Sequence, residues 1–442
     1  MKVNTLKQLG SLLGLRTLSN APITGFAVDS RLIAKDHVFF ALPGERSDGH
    51  LFLKEAARLA SCLVVSKTYT GDTFGCPCIY LDDTLQALQN LSKAVIASSN
   101  SKVVAITGSV GKTTTKDFLT TILQEKYKVS KTLGNANSQI GLPLAILNHT
   151  DGTEDILVLE MGMNAPSQLA KLLEIAPPDI AILTQVALTH AAHFDSLQKI
   201  ALEKAEIFKS PKTKFGILNR DIEHFSDLYQ IGSCSKITFS VASSGADFYF
   251  ENFIIHTPHG VKLHLNRENP FLGKHIYENL VAAVASATHL GVSFEEIKRA
   301  EAKLVLPKKR LELIEAKQVV FVNDSYNASE ISVKAALESL PKPKNGGKTV
   351  AVIGEMLELG KFSEMCHLNV GKKALEYVDH MLLLGKECAP ILECWRENNK
   401  PVELFFDRSL LLDALKDLVK PYDVVLLKGS RANELWKILE EF

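Results

Sequence analysis

Short apolar runs alternate with stretches of helical spacing along most of this chain. The clearest case begins at residue 102. KVVAIT has the continuous apolar character of a buried parallel strand, GSVG breaks it, and from Thr113 onward Phe118, Leu119, Ile122 and Leu123 recur on one helical face. Strand-like runs return at 127–131, 155–163, 179–186 and 214–219, with helical segments between several of them. That alternation predicts a mostly parallel sheet with helices on both faces. Residues 236–265 carry a denser β pattern and predict an antiparallel addition. Residues 275–291 predict a helix with Leu280, Val284 and Ala287 on one face and Gly291 as its stop.

The pattern divides the α/β chain into three expected domains. Residues 1–98 form a small α/β unit, with an extended run at 37–42, a helical stretch at 51–60 and a strand at 62–66. Residues 99–310 hold a central sheet of the P-loop ATPase type. Residues 311–442 repeat strand and helix regularly through VVFVNDSY, TVAVIGEM, HMLLLG, VELFF and DVVLLKGS, the layout of a Rossmann-like doubly wound sheet. That last block has no G-x-G-x-x-G, so dinucleotide binding is not indicated.

Composition narrows the class. Among 442 residues, 50 basic and 50 acidic side chains cancel, so no global charge draws the protein to nucleic acid or a membrane surface. No apolar run approaches a membrane span, and the N-terminal stretch reads as a helix and not a signal peptide. The seven cysteines show no metal-like pairing, and Cys76-Pro77-Cys78 reads as incidental. A soluble cytoplasmic protein with reduced thiols is expected.

The candidate chemistry sits at strand ends. A glycine turn between strand and helix aims backbone N–H groups and the positive helix end at a phosphate. Gly108, Ser109, Val110, Gly111, Lys112, Thr113 and Thr114 form such a loop in the tighter T-G-x-x-G-K-T spacing; Ile106 stands where the longer motif has glycine. Lys112 is placed to reach the β/γ-phosphates of ATP and Thr113 to ligate Mg²⁺. Glu160 ends the run DILVLE, the place of a metal ligand or water-orienting group. His190 follows another strand and reads as a metal ligand or as a surface histidine, like nearby His193. Lys204 lies on the apolar side of a helix. It either snorkels or has a lowered pKa and takes up CO₂ as a carbamate, an oxygen ligand suited to Mg²⁺. GNANSQIGLP at 134–143, NDSYNAS at 323–329 and KGSR at 428–431 are polar turns able to hold phosphate, ribose or carboxylate groups.

Taken together, TGSVGKTTTK, GNANSQIGLP, EMGMN, a histidine fourteen residues before the lysine of K-A-E-I-F, NDSYNA, GEMLELG and KGSR resemble the Mur ligases, in order along essentially the whole chain. The resemblance implies an ADP-forming ligase that phosphorylates a substrate carboxylate with ATP and couples it to an amine. The implied partners are UDP-N-acetylmuramoyl-tripeptide and D-alanyl-D-alanine, and the implied state is a monomer. It places Asp29, Ser30, Arg31, Gly44, Glu45, Arg46, Asp48 and His50 around the uridine nucleotide. Asn279, Arg310, Asn323 and Asp324 fall around adenine and ribose. Asn135, Asn137, Ser138, Asn164, Tyr326, Asn327, Lys428 and Arg431 fall around the remaining substrate. Thr113, Glu160, His190 and carbamylated Lys204 are implied to hold two Mg²⁺ ions. Three departures stand out: Gly273-Lys274-His275-Ile276 lacks the asparagine of G-x-H-N, Lys308-Lys309-Arg310 replaces P-G-R, and NDSYNASE lacks a proline. Two other readings share the phosphate loop, a folylpolyglutamate synthase-like ligase and a P-loop switch protein.

Overall fold

The computed structural model describes residues 2–15, 19–44, 47–267 and 271–442. Three sheets follow one another along the chain. The first holds β1 (Gly25–Ala27), β2 (His37–Phe40), β3 (Ala60–Ser66) and β4 (Cys78–Leu81), all parallel and in that spatial order.

The second sheet has nine strands: β5 (Lys102–Thr107), β6 (Val129–Lys131), β7 (Ile156–Glu160), β8 (Ile180–Leu183), β9 (Phe215–Asn219), β10 (Ser235–Ser240), β11 (Phe248–Glu251), β12 (Ile254–His256) and β13 (Lys262–His264). Its order is β13-β12-β11-β10-β9-β8-β5-β7-β6, with the antiparallel addition confined to β11–β13. β5 lies between β8 and β7, so the strand order reverses at the carboxyl end of β5, where open α/β sheets bind ligands.

The third sheet holds β14 (Glu312–Ala316), β15 (Val319–Asn323), β16 (Thr349–Gly354), β17 (His380–Leu384), β18 (Val402–Phe405) and β19 (Val424–Lys428) in the order β14-β15-β19-β16-β17-β18. β14 is an antiparallel edge strand that the periodicity does not predict. It joins β15 through Lys317 and Gln318, both left-handed at φ 50° and 64°. Tight hairpins of that shape usually announce themselves by Asn-Gly or Asp-Gly, and Lys-Gln carries no such signal.

Two apolar cores tie the sheets together. One runs from Val38, Phe40 and Leu88 in the first block to Leu142, Leu157 and Leu169 in the second. The other joins Phe118, Val281 and Ile182 to Ala351, Ile353 and Leu426 of the third sheet. Asn148 extends β1 as a side-chain strand, accepting from Phe26 N–H at 2.8 Å and donating to Phe26 C=O at 2.9 Å. Among the described residues no helix is long and apolar enough to cross a membrane.

Candidate active site

A cavity of about 800 Å³ lies between the carboxyl ends of the second and third sheets. Its floor is the β5 loop and the helix Lys112–Leu123. Gly111 caps that helix at φ 90° with no side-chain bond, leaving the first-turn N–H groups directed at the cavity. A Cβ on Gly111 would meet Asn279 Oδ1 at 2.2 Å, so glycine lets the long helix Lys274–His289 press against the loop. Asn279 in turn accepts from Thr115 Oγ1 at 3.2 Å. The amides of Ser109 and Val110 both donate to Gln185 C=O, at 2.7 and 3.3 Å. These two residues therefore clamp the loop, and the anion cradle belongs to Gly111–Thr114. Lys112 folds back on the loop, donating to the carbonyls of Gly108 and Ser109 at 2.8 and 3.2 Å. Burial pushes its ammonium below the usual lysine range; Glu160 opposes that shift and Arg310 adds to it.

Glu160 gathers partners from two separate segments, the helix Lys112–Leu123 and the loop of Asn137. Its carboxylate accepts from Thr113 Oγ1 at 2.9 Å and from Asn137 Nδ2 at 2.7 Å. Lys116 Nζ, 2% exposed, stands 4.0 Å away. Asn137 reaches this position because residue 162 is glycine: a Cβ there would lie 2.9 Å from Asn137 Cγ. Thr113 Oγ1 also accepts from Arg310 Nη2 at 3.0 Å, which links the entry to the third sheet directly to the phosphate loop. Lys116 is a buried charge that sequence reasoning passed over, although it closes the TGSVGKTTTK motif.

His190 lines the cavity in the left-handed region at φ 55°, and its Nδ1 pairs with the Glu358 carboxylate across the interface of the two sheets. Ala192 N–H donates to Glu358 C=O at 3.0 Å. Burial pushes the His190 imidazole down, against the opposing pull of Glu358. Glu358 was not among the expected site residues, though it lies inside the GEMLELG motif. Lys204 is 2% exposed on the helix Leu197–Ala205 and lies outside the cavity lining, and its ammonium makes no hydrogen bond or ion pair among the described residues. Burial, reinforced by the neighbouring Lys112 charge, holds its ammonium well below the usual range.

This donor set suits Mg²⁺. Thr113 and Glu160 offer the adjacent oxygens that Mg²⁺ takes, while His190, its Nδ1 held by Glu358, leaves Nε2 as an oriented nitrogen donor, a less usual ligand for this ion. Among the described residues no three His, Cys, Asp or Glu side chains form a metal cage. Mg²⁺ needs none, because it binds through one or two protein oxygens together with substrate phosphates.

The third sheet contributes the opposite wall. Asp324, Tyr326, Asn327, Lys428 and Arg431 line the cavity, as do Asn135 and Asn137 from the second. Lys428, 1% exposed, is fully engaged: it pairs with Asp324 Oδ2 at 2.6 Å and donates to the carbonyls of Asp324 and Asn327 at 3.3 and 3.0 Å. It pins the NDSYN loop instead of presenting a free cation. Asn323 lies outside the cavity lining. Its amide donates to Glu312 of β14 at 3.0 Å and its oxygen accepts from Ser325 of the following loop at 2.6 Å, so one end serves the β14–β15 hairpin and the other the NDSYN turn. Ser138 and Asn164 also lie outside the lining; Ser138 accepts from Gly141 N–H at 3.1 Å at a helix start.

No described residue of the first block lines this cavity. Asp29 binds Arg31 in a two-pronged pair at 2.9 and 2.6 Å that lowers its carboxyl to about 2, and the Arg31 side chain is 86% exposed. His50 is a brace: Nε2 accepts from Ser66 N–H at 2.9 Å, so Nδ1 carries the proton bound to Asp48 at 2.6 Å. Ser30 and Gly44 flank these groups along the chain, while Glu45 and Arg46 fall outside the described residues.

Glu278, beside Asn279, is a buried carboxyl that the sequence reading missed. It accepts from Asn219 Nδ2 at 2.6 Å and Gln185 Nε2 at 3.3 Å, and burial raises it from 4.5 to about 7. The folded protein holds this proton where the unfolded chain has released it. Stability therefore falls as pH rises from 4.5 to about 7 and is flat beyond, a loss of about 3 kcal/mol. Glu278→Gln is expected to remove that limb. Urea midpoints at pH 5 and pH 8 should differ less in the variant than in the parent; equal differences would refute the assignment.

Sequence comparison agrees with this geometry. The Mur ligase middle domain family matches residues 106–287, and the Mur ligase glutamate ligase domain family matches residues 309–431. The UDP-N-acetylmuramoyl-tripeptide–D-alanyl-D-alanine ligase of Bacillus subtilis (strain 168) is 33% identical over 429 residues, covering 95% of this chain and 93% of that protein. A crystal structure of MurF from Acinetobacter baumannii superposes with a TM-score of 0.88 at 27% identity, covering 99% of this chain and 98% of that one. MurF ligase from Thermotoga maritima in complex with ADP superposes with a TM-score of 0.78 at 30% identity, covering 95% and 96%. With relatives matched over nearly their full length and the phosphate loop and Glu160 brought to one cavity, the chain belongs to the Mur ligase family.

Proposed function

We propose that this protein joins D-alanyl-D-alanine to UDP-N-acetylmuramoyl-tripeptide with ATP, giving the pentapeptide precursor of peptidoglycan. The observation that carries the reading is the cavity between two sheets, with the phosphate loop on one wall and Arg310, Asp324 and Asn327 on the other. Residues 1–98 are assigned to the UDP-linked substrate, 99–310 to ATP and 311–442 to the dipeptide. The folate-type alternative leaves the first sheet without a role, and a switch protein leaves Lys204 without one.

A carboxylate is a poor electrophile because its leaving group would be oxide. In the first step the tripeptide carboxylate attacks the γ-phosphorus of ATP, giving an acyl phosphate and ADP. The dipeptide amine then adds to that carbonyl and phosphate leaves. Both reacting groups of the first step are anionic. Lys112 and the amides of Gly111–Thr114 offset their repulsion and stabilise the transferring phosphoryl group, with Arg310 held at Thr113. Thr113 and Glu160 would hold one Mg²⁺, and His190 with an N-carbamylated Lys204 the other. Bound there, the ions supply further neutralisation of phosphoryl charge. The His190–Glu358 contact ties the third sheet to the second beside the phosphate loop, and closure of the two sheets on bound ATP would exclude water from a hydrolysable intermediate. The seven cysteines are free, in keeping with a cytoplasmic enzyme, and the enzyme is taken to act as a monomer, as the family resemblance implies.

The test is phosphate release from MgATP and UDP-N-acetylmuramoyl-tripeptide, with and without D-alanyl-D-alanine, with mass detection of the product. Phosphate and pentapeptide are expected together and only with both substrates. ATP turnover indifferent to either substrate would reject the reading.

A further inference from the structure

The segment joining the second and third sheets carries two left-handed residues that are not glycine, Lys309 at φ 62° and Leu311 at φ 48°. That conformation is disfavoured for any side chain with a Cβ and persists only where the surroundings over-determine it. Leu311 is buried, and its N–H donates to Asp324 Oδ1 at 3.2 Å. Lys309 is held by its backbone on both sides: its N–H donates to Glu312 Oε2 at 3.0 Å, and its carbonyl accepts from Tyr326 N–H at 3.2 Å. Its side chain adds a third restraint, with Nζ 3.7 Å from the ring centroid of Trp436, a cation–π contact with a cavity-lining indole near the C-terminus. Between the two left-handed residues stands Arg310. Its guanidinium covers the Tyr326 ring at 4.4 Å and reaches Thr113 Oγ1 at 3.0 Å.

We infer that Lys309 is a positioning residue: its ammonium, seated on Trp436, fixes the left-handed turn that aims Arg310 at the phosphate loop. The C-terminal loop and the nucleotide site are thereby set as one unit. Where the family pattern has glycine, which adopts this backbone freely, this chain has a lysine that needs the indole to hold it there. The inference rests on the cavity being the ATP site.

The test compares Lys309→Met, Lys309→Arg, Trp436→Phe, Trp436→Leu and the Lys309→Met/Trp436→Leu pair with the parent. The readouts are kcat, the KM for ATP, the KM for the UDP-linked substrate and the thermal midpoint. Lys309→Met and Trp436→Leu are each expected to lower kcat/KM for ATP about ten-fold, leaving the KM for the UDP-linked substrate and the midpoint near those of the parent. Lys309→Arg and Trp436→Phe, which keep a cation and a ring, should recover most of the loss. The double variant should be no worse than either single one. Parent-like rates in Lys309→Met, losses that multiply in the double variant, or Lys309→Arg as impaired as Lys309→Met would each overturn the inference. The chain has two tryptophans, and Trp395 is fully buried. In a Trp395→Phe background Trp436 emission reads the contact and ATP binding without any other substrate. There Lys309→Met should shift the emission and weaken ATP binding several-fold, and no change would count against the inference. Absence of product from the parent would instead reject the ligase reading, with the emission and ATP-binding results still deciding the role of Lys309.

Discussion

Alanine at position 204 is expected to cut turnover by roughly 10³-fold while leaving the thermal midpoint unchanged or raised. Lys204 is 2% exposed, lies beside the charge of Lys112 and has no ion pair among the described residues. A buried ammonium without a partner destabilises the fold, so truncation removes that cost while losing the packing of the side-chain stem. The two changes oppose each other in stability and leave activity as the sensitive readout. A lysine retained for packing would show the reverse, with activity kept and the midpoint lowered. The lowered ammonium pKa leaves more neutral amine, whose nitrogen attacks CO₂ and releases a proton to give the carbamate. Thorough removal of CO₂ from the parent should therefore slow turnover, and added bicarbonate should restore it. A short carboxylate such as acetate should partly rescue Lys204→Ala by returning an anionic oxygen to the vacated space. Parent-like rates in Lys204→Ala would sink the carbamate assignment.

Glu160→Gln carries the second large effect. The substitution keeps the shape of the side chain and a hydrogen bond to each neighbour. The amide oxygen can still accept from Asn137 Nδ2, and the amide nitrogen can donate to Thr113 Oγ1, whose hydroxyl turns to accept. What is lost is the negative charge among Lys112, Lys116 and Arg310. The Mg²⁺ concentration for half-maximal rate is expected to rise about 10–100-fold, and kcat at saturating Mg²⁺ to fall about 100-fold. Magnesium titrations of both proteins at fixed ATP check this. An unchanged midpoint with an unchanged rate would remove Glu160 from the metal site.

Much of the architecture was legible because its causes are local. The run KVVAIT, the glycine break and the helical spacing after Thr113 locate β5, the loop and the helix without reference to any other part of the chain. The hairpin of β14 and β15 was not legible, because Lys317-Gln318 adopts a glycine-like turn without glycine or asparagine. The site was legible as a set of motifs and less so as a set of roles. Lys428 was expected as an anion holder and is engaged by Asp324 and Asn327. Asn323, expected near the nucleotide, bonds Glu312 of β14 and Ser325 of the next loop. Glu358, Lys116 and Glu278 were missed, since a carboxylate or lysine at helical or loop spacing looks solvated until its neighbours are known.

The sequence by itself determined that a phosphate-binding loop opens a helix, that three α/β blocks follow one another, and which strand ends carry polar groups. Each of those rests on spacing within a few turns of chain. Only the tertiary structure decided which groups share one cavity and what charge each carries there. Arg310 meets Thr113 across 197 residues of chain, and Glu358 meets His190 across 168. No local periodicity encodes such pairings. The lowered ammonium of Lys204 and the raised carboxyl of Glu278 arise from burial and from neighbours that folding alone brings together.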